Sequence, residues 1–183
     1  MEKSFSQRKN FMRLYEYIQQ GGTIMYILVL LNIIGFAVMI TKFWLLNKEK
    51  SNASSLADEI GNRLKDSSKG QDIQARIELA KQEVANYISQ VEKGLNTVKI
   101  IASISPLLGL LGTVIGVLVA FQIMSKQGLS DPSYFAQGIS MALITTVGGM
   151  TVAIPHFVGH SYLLGMLDGL EAKLEKEILS RVL

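Results

Sequence analysis

The sequence predicts an all-α membrane protein with three spans, two of them long enough to run on into a helical bundle outside the bilayer. Three observations carry this. Charge-free runs occur at Thr23–Thr41, Ile100–Ser125 and Pro132–Leu167, the last broken only by two histidines. A hydrocarbon core of ~30 Å needs about 20 helical residues, which the first run just meets and the others exceed. The apolar share of 49% and charged share of 18% complete the pattern, because a soluble domain is about a quarter charged.

The chain begins with Phe11, Leu14, Tyr15 and Ile18 at helical spacing, with Arg13, Glu16 and Gln20 on other faces. This predicts an amphipathic helix over residues 1–22 lying on the membrane surface, ended by Gly21–Gly22; a soluble leader is the alternative. The first span is expected over residues 23–44, with Trp44 at headgroup depth. Its 19-residue charge-free core exceeds the about 7–15 of a cleaved signal, and no small-x-small site follows, so it reads as a retained helix.

Residues 45–97 form a loop and helix. The stretch 47–70, rich in Ser, Asn, Asp and Lys, reads as a polar connection with one short helix around Leu56–Leu64. From Ile73 the steps of three and four through Ile77, Ala80, Val84, Ile88, Val91, Leu95 and Val98 predict an amphipathic helix. Nothing in the pattern breaks it before the second span at 98–125. A continuous helix from Ile73 to Ile123 would be about 75 Å long.

A turn over 126–132 leads to the third span at 133–163, with Pro132 suited to a helix start. Residues 164–183 continue it as an amphipathic helix, through the stripe Leu163, Leu167, Leu170, Leu174 and Ile178. The two projecting helices are expected to pack on each other.

Of 18 Lys and Arg, five fall in residues 1–22 and the turn, and thirteen on the other side. The positive-inside rule then puts the N-terminus outside and the loop and C-terminus in the cytoplasm, although Lys3, Arg8, Lys9 and Arg13 pull the other way. The net charge of +3 is spread over every polar segment, so no nucleic-acid surface is indicated. With no cysteine, thiol chemistry and Cys-based metal sites are excluded. No nucleophile–base pair or metal cluster is apparent, so no catalytic residue, metal or cofactor is expected.

Gly109, Gly112 and Gly116 share one face of the second span, beside Thr113. The third span has a matching stripe of Gly138, Ala142, Thr145 or Thr146, Gly149 and Ala153. Small residues let membrane helices approach closely. Spacing leaves two readings open: a tightly packed bundle, or two smooth walls around something threaded between subunits. The threonine hydroxyls bond to their own helix or face a path. Pro106 and Pro155 are expected kink sites, tolerated inside a bundle. His156 and His160, four apart, bind a metal, relay protons or satisfy local hydrogen bonds.

The stretches "ASISPLLGLLGTVIGVLVAF" and "DPSYFAQGISMALITTVGGMTVAIP" resemble the signature of the MotA/TolQ/ExbB family of ion-channel subunits. "LYEYIQQGGTIMYILVLLNI" is similar to the ExbB/TolQ branch. The resemblance covers nearly the whole chain and is weakest over 47–90. It implies the channel-forming subunit of a motor in the bacterial inner membrane, driven by ion-motive force for nutrient import or envelope maintenance. It further implies a homopentamer around a dimer of a single-span ExbD/TolR-like partner, whose helix runs through the central pore and carries the ion-binding aspartate. A TonB- or TolA-like protein and membrane lipid complete the implied partners.

On this resemblance Thr113 and Thr146 face the partner's aspartate, and Gly109, Gly112, Gly116, Ala142 and Gly149 become the pore wall. The spans carry no acid, so the partner must supply one. The family's usual glutamate on the third span is here Met141, which cannot titrate. Thr145 stands where proton-driven members tend to have alanine, and the Thr145–Thr146 pair resembles sodium-driven stators. The transported ion is therefore H+ or Na+, since hard cations favour oxygen ligands. A non-conducting membrane scaffold is the reading from another class.

Overall fold

The structure, a computed structural model, describes residues 15–67, 73–127 and 132–182. Most of the interfacial helix expected over 1–22, and residues 128–131 of the expected turn, lie outside the described residues. Residues 15–20 are helical. Five longer helices follow: α1 (Gly22–Ser51), α2 (Ala53–Ser67), α3 (Ile73–Glu92), α4 (Leu95–Gln127) and α5 (Pro132–Val182). The described residues contain no strand. Three of the helices, Gly22–Ser51, Leu95–Lys126 and Phe135–Ser180, are long and apolar enough to cross a membrane.

Local chemistry sets the breaks. Gly22 has φ +62°, a conformation that glycine adopts without a Cβ penalty. It separates α1 from the preceding turn, whose last bond runs from Gly21 N–H to the Tyr17 carbonyl at 2.9 Å. Asn52 ends α1 and begins α2. Its N–H donates to the Lys48 and Glu49 carbonyls, both at 3.1 Å, and its own carbonyl accepts from Leu56 N–H, as expected of a residue that favours the N-cap.

The continuous helix expected from Ile73 to Ile123 is interrupted at Lys93–Gly94, which corrects the sequence reading. Gly94 has φ +96°, and the Thr97 N–H donates to its carbonyl at 3.1 Å. Lys42 of α1 reaches over this break and donates from Nζ to the Val91 carbonyl at 2.7 Å. A cation on the last carbonyls of a helix complements the negative end of its dipole. A periodicity that continues on both sides concealed the break.

The chain forms two compact units, one of residues up to Gly35 with Ile100–Phe157, the other of Phe36–Lys99 with Val158–Leu183. In the first, Ile24 and Leu28 of α1, Ile101 of α4 and Val152 of α5 make the core. In the second, Leu46 of α1 joins the α3 and α4 stripe Ala80, Val84, Ile88, Val91, Leu95 and Val98. The α5 stripe Leu163, Leu167, Leu170, Leu174 and Ile178 packs in the same core. Ile73 itself is exposed.

The connection expected to hold one short helix around Leu56–Leu64 contains the fifteen-residue α2, with Ala53, Ala57 and Ile60 buried. Above it the Tyr87 hydroxyl donates to the Glu49 carboxylate. Burial first, then that bond and the charges of Glu49 and Glu59, push the phenol above its ordinary value of 10.0.

Candidate ion pathway

Within the first unit α4 and α5 run antiparallel, in contact through their small residues. A Cβ placed on Gly109 would lie 2.9 Å from the Thr145 carbonyl oxygen and 3.1 Å from Thr146 Cα. One on Gly116 would lie 2.8 Å from the Gly138 oxygen and 2.9 Å from Ala142 Cβ. One on Gly138 would meet Ala120 Cβ at 2.6 Å, and one on Gly149 would meet Gly109 Cα at 3.0 Å. As the α4 numbers rise from 109 to 120, their α5 partners fall from 149 to 138. The backbones therefore meet with almost no side chain between them, the contact that small residues permit between membrane helices.

Gly109, Gly112, Gly116, Ala142 and Gly149 are the residues that the family resemblance implies as pore wall. All five are buried in the seam between α4 and α5 of one chain, which is the bundle alternative. Thr145 lies in the same seam. It is fully buried, its side chain fills the notch left by Gly112, and its hydroxyl donates to the Ala142 carbonyl at 2.8 Å and the Met141 carbonyl at 3.2 Å.

Thr146 differs. It is half-buried, and its hydroxyl shares its proton between the Gly109 carbonyl at 3.3 Å and the Ala142 carbonyl at 3.4 Å. Both are long for a hydroxyl donor, so neither holds it firmly. Thr113, one turn beyond Gly109, is also half-buried and donates to its own Leu110 carbonyl at 2.6 Å. Each keeps oxygen lone pairs free to accept. The structure thus separates the two adjacent threonines: one locks the seam, the other stands at its edge.

Met141 has its Cε 3.9 Å from the Cβ direction of Gly22. It lines a cleft of about 410 Å3 with Gln20, Val119, Ile123, Gln137, Gly138 and Ser140. The position where an acid was expected is therefore partly polar and open. α4 and α5 continue as helix through Pro106 and Pro155. No group of three His, Asp or Glu able to hold a metal occurs among the described residues.

His156 is fully buried, and its Nδ1–H donates to the Val152 carbonyl at 2.7 Å. Its ring lies against Gly35, where any Cβ would overlap it. Gly35 and the neighbouring Asn32 escaped the sequence reading, although Asn32 is the single amide in the first charge-free run.

Three membrane-compatible helices, two of them locked backbone to backbone with hydroxyls at the edge, define a multi-pass membrane protein. The MotA/TolQ/ExbB proton channel family matches residues 46–176, and the chain belongs to that family. It is similar to an ExbB homolog of Methanothermobacter thermautotrophicus named for biopolymer transport. The two are 31% identical over 186 residues, covering 87% of this chain and 66% of that protein. The biopolymer transport protein exbB1 of Vibrio cholerae is 39% identical over 87 residues, covering 47% of this chain and 38% of the relative. The Tol-Pal system protein TolQ of Haemophilus influenzae is 33% identical over 84 residues, covering 46% and 37%. The chain spans between 37% and 66% of the length of these relatives.

Proposed function

We propose that this chain is the channel-forming subunit of an inner-membrane motor driven by ion-motive force. It would work as a homopentamer around a dimer of an ExbD/TolR-like single-span partner, with its N-terminus periplasmic and C-terminus cytoplasmic. Power would pass through a TonB- or TolA-like protein to nutrient import or envelope maintenance. The observation that carries this reading is Thr146, loosely bonded at the edge of a seam whose span contains no acid. Thr113, a turn from Gly109, offers a second hydroxyl. Such a surface can receive a carboxylate from another chain but cannot itself titrate an ion across. The exposed apolar residues of α4 and α5, among them Leu110, Val114, Leu143 and Val147, supply the face for neighbouring copies and lipid.

The ion we assign is H+. Sodium coupling is the alternative that a second hydroxyl at position 145 suggests, and Thr145 is fully buried within this chain, whereas Thr113 and Thr146 are half-buried. The experiment is ion flux in liposomes containing the chain and its partner. Thr113→Val with Thr146→Val should abolish flux while the oligomer persists, whereas Thr145→Val should leave flux and its independence of Na+ unchanged. Full activity in the double variant would favour the scaffold, and loss of flux on removing Na+ would restore the sodium reading.

A further inference from the structure

Near its C-terminal end α1 carries an exposed groove that the proposed ion path does not use. Ile40, Thr41, Trp44, Leu45 and Lys48 line it, and its volume is about 470 Å3. Their spacing of one and four puts all five on one face of the helix. Ile40 and Trp44 are 63% and 76% exposed, while Leu45 packs against the core of the second unit. The Thr41 hydroxyl donates to the Ala37 carbonyl of its own helix at 2.8 Å. The polar side-chain groups left on this face are then the Trp44 indole N–H and the Lys48 ammonium, both donors only. Glu49, the adjacent acid, accepts from the Tyr87 hydroxyl. The groove is thus apolar at Ile40 and cationic about 12 Å further along the helix, at Lys48.

The neighbours of this face set its depth in a membrane. α1 carries no charge from Thr23 to Thr41 and reaches its first at Lys42. Phe43 stacks on Tyr162 of α5 with ring centroids 6.4 Å apart, and both rings are exposed. With Trp44 they make three exposed aromatic rings at one level, the mark of a membrane–water boundary. A lysine one turn beyond that boundary lays its stem on apolar surface and holds its ammonium among the headgroups. We propose that this face binds one anionic phospholipid, with an acyl chain along Ile40 and Leu45 and the headgroup phosphate accepting from Trp44 Nε1–H and Lys48 Nζ. A zwitterionic lipid brings its own ammonium, which Lys48 repels; an anionic lipid balances the lysine charge. The site requires that α1 cross the bilayer and is independent of which ion the protein conducts.

Trp44 is the single tryptophan of the chain, so intrinsic fluorescence reports this groove alone. The full chain is placed in vesicles that mix phosphatidylcholine with phosphatidylglycerol, one or the other brominated to quench the indole. Phosphatidylglycerol should displace phosphatidylcholine beside Trp44 with about fivefold preference, equivalent to the ~1 kcal/mol that one lysine contributes near an anionic surface. Lys48→Gln should bring that preference close to one. Lys50→Gln, about 200° round the helix from Lys48, should leave it in place, which separates a bound lipid from diffuse attraction to a basic surface. Equal quenching by the two lipids in the parent would overturn the proposal, as would equal losses of preference in the two variants. So would an indole that neither lipid quenches, since a protein neighbour would then cover the groove.

Discussion

Replacing Gly112 with alanine tests whether the small residues face a seam or a pore. The added Cβ would fall on the Thr145 side chain and backbone-proximal carbon, inside any allowed contact distance. α4 and α5 must then separate locally by a substantial fraction of an ångström. A gap of 0.5–1 Å forfeits about a quarter to a half of each contact energy along the affected turn, and overpacking in a filled interior costs about 1–3 kcal/mol. Unfolding of the reconstituted protein, followed by helical signal against denaturant, should register a loss of that size. Thr145→Gly removes the obstructing atoms, so the pair Gly112→Ala and Thr145→Gly should be more stable than the sum of the single changes by about 1–3 kcal/mol. Independent sites add to within about 0.5 kcal/mol. Additivity, or a Gly112→Ala protein as stable as the parent, would refute the seam and return Gly112 to a pore wall.

Three further outcomes follow from the geometry. Gly94→Ala should cost about 1–2 kcal/mol in the second unit, because alanine is strained at φ +96° and its Cβ would sit 3.2 Å from Lys42 Cε; thermal unfolding reads this directly. Tyr87 has its phenol raised by burial and Glu49, so below pH 10 both folded and unfolded chains hold the proton and stability is unaffected. Above pH 10 the unfolded chain ionises first and stability falls; Tyr87→Phe should flatten that part of the unfolding-temperature profile relative to the parent. Met141→Glu places a carboxyl in the cleft with Gln20, Gln137 and Ser140, so the protein should still fold, and reconstituted proton flux should rise; unchanged flux would place position 141 outside the path.

The helices were readable because their signals are local. The charge-free runs mark the spans, and the leucine stripe from Leu163 to Ile178 marks a face that is buried throughout. α2 was under-read because Ala53 and Ala57 bury a face without bulky apolar side chains, so its period is faint against a polar background. The break at Gly94 was hidden for the opposite reason: burial continues from Val91 to Leu95, and only the sign of one backbone angle changes. The site was legible in composition but not in orientation. A glycine stripe has the same spacing whether it meets another helix or an open lumen, and only the non-local pairing of Gly109 with Thr146 separates them. Thr145 and Thr146 are the same residue type about 100° apart on a helix, so chemistry alone could not say which of the two the seam buries. Family membership rests on the motifs, which the sequence shows plainly.

The seam of α4 on α5 has a mechanical corollary. Contacts made by glycine and main chain freeze no rotamers when they form, so closure carries little entropic penalty. Apart from Thr145, which fills the notch at Gly112, they hold no adjustable side chain that could yield under load. The two helices should therefore travel as one stiff beam, and any working stroke must be taken up elsewhere, at the outer faces or at joints such as Gly22 and Gly94.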